Sequence, residues 1–434
     1  MKPNPVLCAA PWTHTYISPQ HERRLCCASR EPAQSFKQYI DTAVGTGVYN
    51  PMTLEQWWNS EHIRNVRVQM LAGTPPPECD VCNHKLLNTD VYRSYFNKMF
   101  AHKMDKIASC TDAEGFTTMR PVSWDYRFSN LCNFKCRMCG DMLSSSWETE
   151  LKQNNMIDWS QSRNHWMLPE VREQISKFTD QQVVKEFTEA VENESIEEIY
   201  WVGGEPLMWD IHWVSMSRIV QLGYAHRVYP RYNTNLSRVD YKKYNLFHLL
   251  SKFRDWQVCA SIDGTGAIGE YIRTGLNYET WLENFKQGLK VAKHPRQLRL
   301  DLTLTLPGMF DIDNMVALAD SLNVDILTKV CFAFDSDVLM SPMCLPRELL
   351  NQMLDKQLNR LSGTRHRSLI DVLQNMYNRP TFAEQWPSNY QPGASRGKRR
   401  ILQMENIRPG YITMEQILSV DTDILKWWGD IECS

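Results

Sequence analysis

The sequence predicts an α/β fold built on a partial barrel of six βα units, with an extension at each end. From Arg120 onward, short strand-like runs alternate with longer amphipathic stretches, the pattern of βα units around a parallel sheet. The strand-like runs number six, short of the eight that close a full barrel, so a partial (β/α)6 TIM-like barrel is expected. The texture changes on both sides of this stretch. It divides the chain into a cysteine-rich N-terminal region (residues 1–104), the barrel (120–335) and a helical or irregular C-terminal extension (336–434).

In chain order, the N-terminal region reads as irregular, with helical stretches at Leu54 to Leu71 and Asp90 to Met104. Asp105 to Met119 is polar, contains Gly115 and reads as a linker. The expected strands are Val122 to Phe128, Ile196 to Val202, Arg227 to Asn233, Trp256 to Ile262, Gln297 to Leu306 and Asp325 to Ala333. Helices are expected at Glu170 to Val191, His212 to Leu222, Tyr241 to Phe253, Tyr278 to Ala292 and Asp313 to Leu322. After Pro342 come two more, Arg347 to Leu361 and Leu369 to Asn378. Trp386 to Arg400, rich in Pro, Gly and Ser, reads as a loop whose basic run Arg396 to Arg400 is solvated.

The 434 residues leave room for more than one domain, and 43% hydrophobic against 23% charged residues is an ordinary globular balance. A formal charge of -2 gives no reason to expect a nucleic-acid partner. No apolar run is long enough to cross a bilayer, and Met1 to Pro11 lacks the apolar core of a signal peptide, so a cytoplasmic location without membrane association is expected. Thirteen cysteines stand out. Cys110, Cys259, Cys331, Cys344 and Cys433 are isolated and read as small buried hydrophobes or incidental thiols; the other eight fall in two groups.

The sharpest motif is Asn130-Leu-Cys-Asn-Phe-Lys-Cys-Arg-Met-Cys-Gly140, which follows the first expected strand. Its Cys132, Cys136 and Cys139 have the spacing C-x3-C-x2-C. A short loop at a strand end can bring three thiolates to a cubane iron–sulfur cluster, leaving one iron open for a ligand. A structural zinc would want a fourth ligand, and no nearby Cys or His follows.

This loop resembles that of the radical S-adenosylmethionine superfamily, whose fold is a partial (β/α)6 barrel. The resemblance implies a [4Fe-4S] cluster whose open iron chelates the amino and carboxylate groups of S-adenosyl-L-methionine. It further implies reductive cleavage to a 5′-deoxyadenosyl radical that abstracts a substrate hydrogen. Later segments match in order. Trp201-Val-Gly-Gly-Glu-Pro206 resembles the family's Gly-Gly-Glu element, which implies that Gly203, Gly204 and Glu205 contact the methionyl amino group. Tyr232-Asn-Thr-Asn-Leu-Ser237 is similar to a Thr-Asn segment near the cofactor and points to Asn235. Ala260-Ser-Ile-Asp-Gly264 and Tyr271-Ile-Arg273 resemble elements that place Ser261 near the ribose and Arg273 near the methionyl carboxylate, a partner a guanidinium can grip with two bonds. Pro307-Gly308 is expected to supply backbone beside the adenine. Many members carry an aromatic residue just before the third cysteine; here it is Met138, whose thioether can pack on an adenine ring.

The second group comprises Cys8, the pair Cys26-Cys27, and Cys79-Asp-Val-Cys82 after the rigid Thr74-Pro-Pro-Pro-Glu78. Four such thiolates suit an iron–sulfur cluster or a structural zinc. With Trp57-Trp-Asn-Ser60, the pattern resembles a SPASM or twitch auxiliary-cluster module placed ahead of the barrel. The implied ligands are Cys8, Cys79, Cys82 and one of the adjacent pair, with Cys27 favoured over Cys26.

These resemblances imply a radical enzyme, oxidoreductase-like, carrying a second iron–sulfur cluster and served by an electron donor such as flavodoxin or ferredoxin. Relatives with auxiliary modules often modify peptides or proteins, and others dehydrogenate a small molecule, a sugar or aminocyclitol. A reading of a different class is a zinc-stabilised, non-enzymatic interaction protein. It requires the cysteine loop and Gly-Gly-Glu turn to have lost their role, yet all three cysteines and Glu205 are present.

Overall fold

The computed structural model describes residues 4–30, 51–84, 92–330 and 339–433. Cys331, the end of the sixth expected strand and the start of the helix expected at Asp90 lie outside the described residues. The chain forms two compact units, one of residues 1–132, 141–231 and 241–256, the other of residues 133–140, 232–240 and 257–434. Among the described residues no helix is long and apolar enough to cross a membrane.

The strands are β1 His14–Ile17, β2 Arg23–Arg24, β3 Ser123–Tyr126, β4 Glu198–Trp201, β5 Tyr229–Thr234, β6 Asp240–Tyr241, β7 Tyr244–Asn245, β8 Gln257–Ser261, β9 Leu298–Leu304 and β10 Ile326–Val330. All but β6 and β7 belong to one eight-stranded sheet, the mixed α/β architecture expected of a partial barrel. The six expected barrel strands are β3, β4, β5, β8, β9 and β10.

In the first unit, β1 pairs in parallel with β3, and β3 with β4, while β2 runs antiparallel to β1. Strand alternation sorts the side chains by face. Trp124, Tyr126 and Trp201 pack around Phe187 of the helix Val184–Glu192, with ring centroids 5.8, 6.3 and 5.6 Å away. The opposite positions, Ser123, Asp125 and Glu198, are polar and fully buried. Burying each of these aromatic rings contributes roughly 1.5–3 kcal/mol, which sets the register of the strands.

Strand β1 differs from the irregular N-terminal region that the sequence suggested. Its four residues, His-Thr-Tyr-Ile, are too few to show a period, and the polar His14 hides its burial. His14 Nδ1 lies 2.7 Å from Ser123 Oγ. Through β1 the cysteine-rich N-terminal stretch shares the sheet and compact unit of β3. The helix expected at Glu170 to Val191 is Pro169–Phe178 and Val184–Glu192 joined by a π turn, Thr179–Val183.

In the second unit β8, β9 and β10 are parallel, with Ala260 and Ile326 both opposite Leu300. Leu300, Leu302 and Leu304 are fully buried on one face of β9; Asp301 and Thr303 take the other. The largest correction lies between Trp386 and Arg400, expected as a loop. It is mostly helix, Tyr390–Ile407. Pro392 falls in its first turn, where the missing N–H costs no bond, and Gly393, Ala394, Ser395 and Gly397 form a buried face of small residues. Lys398 in the basic run is not merely solvated. Its ammonium donates to the carbonyls of Trp428 and Ile431, at 2.7 and 2.8 Å, at the end of the helix Thr422–Asp430.

One buried carboxylate ties the N-terminal segment to this framework. Glu186 accepts hydrogen bonds from Arg23 Nη2 at 2.7 Å, Tyr126 Oη at 2.6 Å and the Leu54 N–H at 2.6 Å. Glu186→Ala leaves the buried Arg23 guanidinium without this carboxylate, so unfolding free energy in chemical denaturation should fall by about 3–5 kcal/mol. A loss below about 1 kcal/mol would show that the node is not structural.

Candidate metal centre and cofactor site

The cysteine loop starts in the first unit and continues in the second. In the first unit its opening residues are fixed by their neighbours. The Asn130 side chain donates to the Asp141 carbonyl and to Glu148, both at 3.0 Å. Cys132 donates its N–H to Ser145 Oγ at 3.2 Å and accepts at its carbonyl from Ser146 Oγ at 2.8 Å.

The Gly-Gly-Glu turn that follows β4 packs on the same residues. Glu205 donates its backbone N–H to the Leu131 carbonyl at 2.7 Å, one residue before Cys132. Gly203 has φ +134°, open to glycine but not to a residue with a side chain, and a Cβ on Gly204 would overlap the Leu131 carbonyl oxygen. The Glu205 carboxylate is 1% exposed and accepts the Leu207 N–H at 3.0 Å, capping the short helix Pro206–Met208.

In the second unit the rest of the loop lies along residues 272–274. Lys135 N–H donates to the Thr274 carbonyl and Arg137 N–H to the Ile272 carbonyl, each at 2.8 Å. Cys136 sits between these two bonds. Its Sγ is 3.9 Å from Arg273 Nη1, and Arg273 forms an ion pair with Asp263, Nε to Oδ2 2.7 Å. Asp263 in turn accepts the Thr303 N–H at 2.8 Å. Asn235, at the end of β5, donates from its side chain to Asn133 Oδ1 at 3.0 Å and accepts the Ser237 N–H at 2.9 Å. Ser261 lies 3.5 Å from Asp301 Oδ2, which also takes bonds from Asn233 Nδ2 at 2.7 Å and Lys329 Nζ at 2.8 Å. Met138 and Cys139 are partly exposed. Gly308 packs its backbone on the Asp263 carbonyl.

The first unit thus joins Gly203, Gly204 and Glu205 to the chain entering Cys132. The second unit joins Asn235 and Arg273 to the stretch carrying Cys136, Met138 and Cys139. Ser261 meets Asp301 instead. Sequence reasoning missed the supporting residues Asn133, Asp263, Asp301 and Arg137. The Arg137 guanidinium lies 3.9 Å over the Tyr271 ring, and its Nε donates to the Tyr271 carbonyl at 2.8 Å. Only their nearness to the motifs could have marked them.

The second cysteine group lies in the first unit. Cys8 and Cys26 are buried in one apolar cluster with Trp12, Trp57 and Ile63, and Cys79 packs against it. Cys82 is also buried. Of the adjacent pair, Cys26 is the one that feels Cys8 and Cys79. Cys27, favoured from sequence, bonds to Tyr92 and lies within the electrostatic reach of Asp125 and Arg127. Two adjacent residues in this bent segment point in different directions, which sequence cannot resolve.

The donor set fits iron–sulfur ligation. Burial pushes the Cys8, Cys79 and Cys136 thiols up to about 12, with Arg273 pulling Cys136 the other way. Such thiols stay protonated until a metal displaces the proton. Among the described residues no three Cys, His, Asp or Glu side chains stand close enough to share one metal ion. Cluster thiolates bind different irons and stand farther apart than the ligands of a single ion.

No family model matches the chain, and no curated protein matches it significantly. Among solved structures it is similar to SuiB from Streptococcus suis bound to S-adenosylmethionine, at 12% identity and TM-score 0.36, over 66% of this chain and 57% of that one. The same SuiB bound to precursor peptide SuiA gives 11% identity and TM-score 0.35, over 84% and 77%. TYW1 with a lysine-pyruvate adduct bound gives 13% and 0.28, over 65% and 88%. The chain spans under two thirds of the length of the first of these, 57%. At such TM-scores the likeness is partial, and the chain's own residues carry the functional reading.

The geometry separates the adjacent cysteines experimentally. After anaerobic reconstitution, Cys26→Ala should lose the iron bound by the N-terminal group, whereas Cys27→Ala should keep the parent's iron and sulfide content. The reverse pattern would return the ligand role to Cys27.

Proposed function

We propose that this chain is a radical S-adenosylmethionine enzyme. The observation that carries the reading is the contact between the Gly-Gly-Glu turn and the start of the cysteine loop, Glu205 N–H to Leu131 carbonyl at 2.7 Å. Two motifs about 70 residues apart in sequence are locked backbone to backbone, at a glycine that admits no side chain.

In this reading Cys132, Cys136 and Cys139 hold a [4Fe-4S] cluster. When bound, the reduced cluster and S-adenosyl-L-methionine supply a 5′-deoxyadenosyl radical that takes a hydrogen atom from the substrate. The work of the chain is binding and orientation. Gly203 and Gly204 offer a backbone edge to the methionyl group, with Glu205 receiving its amino protons. Arg273, kept protonated by Asp263 despite burial, receives the methionyl carboxylate. Asn235 stands near the cofactor, Ser261 offers a polar contact to the ribose, and Met138 an apolar one to the adenine.

Cys8, Cys26, Cys79 and Cys82 hold a second iron–sulfur cluster, and electrons arrive from a donor such as flavodoxin or ferredoxin. The N-terminal cysteine group favours a peptide or protein substrate over a sugar or aminocyclitol, because relatives of the module it resembles often act on peptides. The compared SuiB structure with a bound precursor peptide is in keeping with this choice.

Reconstituted parent protein with a strong reductant should cleave S-adenosylmethionine to 5′-deoxyadenosine. A Cys132/Cys136/Cys139→Ala variant should make none while keeping the iron of the N-terminal group. A parent that binds zinc and makes no 5′-deoxyadenosine would favour the interaction-protein reading. Gly204→Ala, which displaces the Leu131 carbonyl, should weaken S-adenosylmethionine binding by about tenfold or more, near 1.4 kcal/mol, in equilibrium binding.

A further inference from the structure

The C-terminal extension has no part in the motifs above, yet in the second unit one of its side chains reaches the cysteine loop. Arg408, immediately after the helix Tyr390–Ile407, is 4% exposed. Its Nη1 donates to the Lys135 carbonyl at 2.9 Å and to Thr274 Oγ1 at 3.3 Å. These two residues are already joined by the Lys135 N–H to Thr274 carbonyl bond. One turn back on the same helix, Glu405 accepts from Tyr271 Oη and from the Met414 N–H, both at 2.7 Å. Tyr271 is the residue whose ring lies under Arg137 and whose carbonyl takes Arg137 Nε. The extension therefore grips both backbone strands that flank Cys136, on one side through Arg408 and on the other through Glu405, Tyr271 and Arg137.

We propose that Arg408 is a positioning residue for Cys136, fixing the cysteine loop on the 271–274 segment so that the thiol stands at a set place beside Arg273. The loop's backbone meets its support at Lys135 and Arg137, with one turn bond inside it, Cys139 N–H to the Cys136 carbonyl. A buried guanidinium that bridges a carbonyl of the loop and a hydroxyl of its support makes charge-assisted bonds, the stronger kind. Lysine at this position keeps the charge, but its shorter, non-planar end does not hold a donor where Nη1 stands between the two acceptors. The role of Cys136 as a cluster ligand rests on the proposed function; the pinning of the loop does not.

The test is backbone hydrogen exchange of the metal-free protein, followed by iron retention of the reconstituted protein, in parent, Arg408→Gln, Arg408→Lys and Thr274→Val. In Arg408→Gln the Lys135 and Arg137 amides should exchange about tenfold faster or more, while β9 amides such as Leu302 keep the parent's rate. Arg408→Lys should fall between, and Thr274→Val should show a smaller local increase. In reconstituted protein, iron of the Cys132 group should be lost faster in the same order, with the N-terminal group's iron unaffected. Unchanged exchange at Lys135 and Arg137 overturns the proposal. So does acceleration spread evenly across the second unit with no rescue by lysine, which would mark Arg408 as a general stability residue. If the parent holds no iron in the Cys132 group, the proposed function fails, and the exchange result still decides whether Arg408 pins the loop.

Discussion

On the proposed function, a loop that offers three thiolates to one cluster cannot rely on regular secondary structure for its shape, and this constraint organises the site. Between Cys132 and Cys139 the backbone forms neither helix nor strand. Its conformation is set by bonds to other segments: Cys132 to Ser145 and Ser146 in the first unit, Lys135 to Thr274 and Arg137 to Ile272 in the second. Each such bond is worth only about 1 kcal/mol net. Several of them acting on eight residues leave the loop little freedom, which is what precise ligation requires.

The same economy governs the sheet. In the first unit, Trp124, Tyr126 and Trp201 supply the apolar packing on one face, which frees Ser123, Asp125 and Glu198 to be polar on the other. A buried charge there is costly unless matched. Glu198 meets Ser123 Oγ at 2.5 Å and Arg231 Nε at 2.9 Å, and Asp125 meets Arg127 Nε at 3.1 Å. In the second unit Asp301 and Asp263 are answered by Lys329 and Arg273. Each unit therefore carries a polar, internally balanced face suited to a polar ligand.

Much of this was legible in the sequence because it was periodic or locally spaced. The six barrel strands announced themselves by β-branched and apolar runs between amphipathic helices, and the cysteine loop and Gly-Gly-Glu turn by their spacing. What could not be read depends on direction or distance along the chain. Strand β1 is too short to show a period, and its partner β3 lies more than a hundred residues away. Cys26 and Cys27 are equivalent in sequence and differ only in where the backbone turns them. The helix Tyr390–Ile407 was hidden by the glycines and serine that allow its close packing, residues that read as loop when nothing is known of what packs on them. Arg408, just past a helix that carries three other arginines, has no signal of its own until its partner Lys135 is seen across 273 positions.

The central claim is that the Cys132 loop holds a cluster with an iron open to S-adenosylmethionine. The most direct test is electron paramagnetic resonance of anaerobically reconstituted, reduced protein, with and without S-adenosylmethionine. The account predicts a reduced [4Fe-4S] signal that changes on adding S-adenosylmethionine and is absent from the Cys132/Cys136/Cys139→Ala variant. A parent spectrum with no component that responds to S-adenosylmethionine, or a responsive component that survives unchanged in that variant, would contradict it.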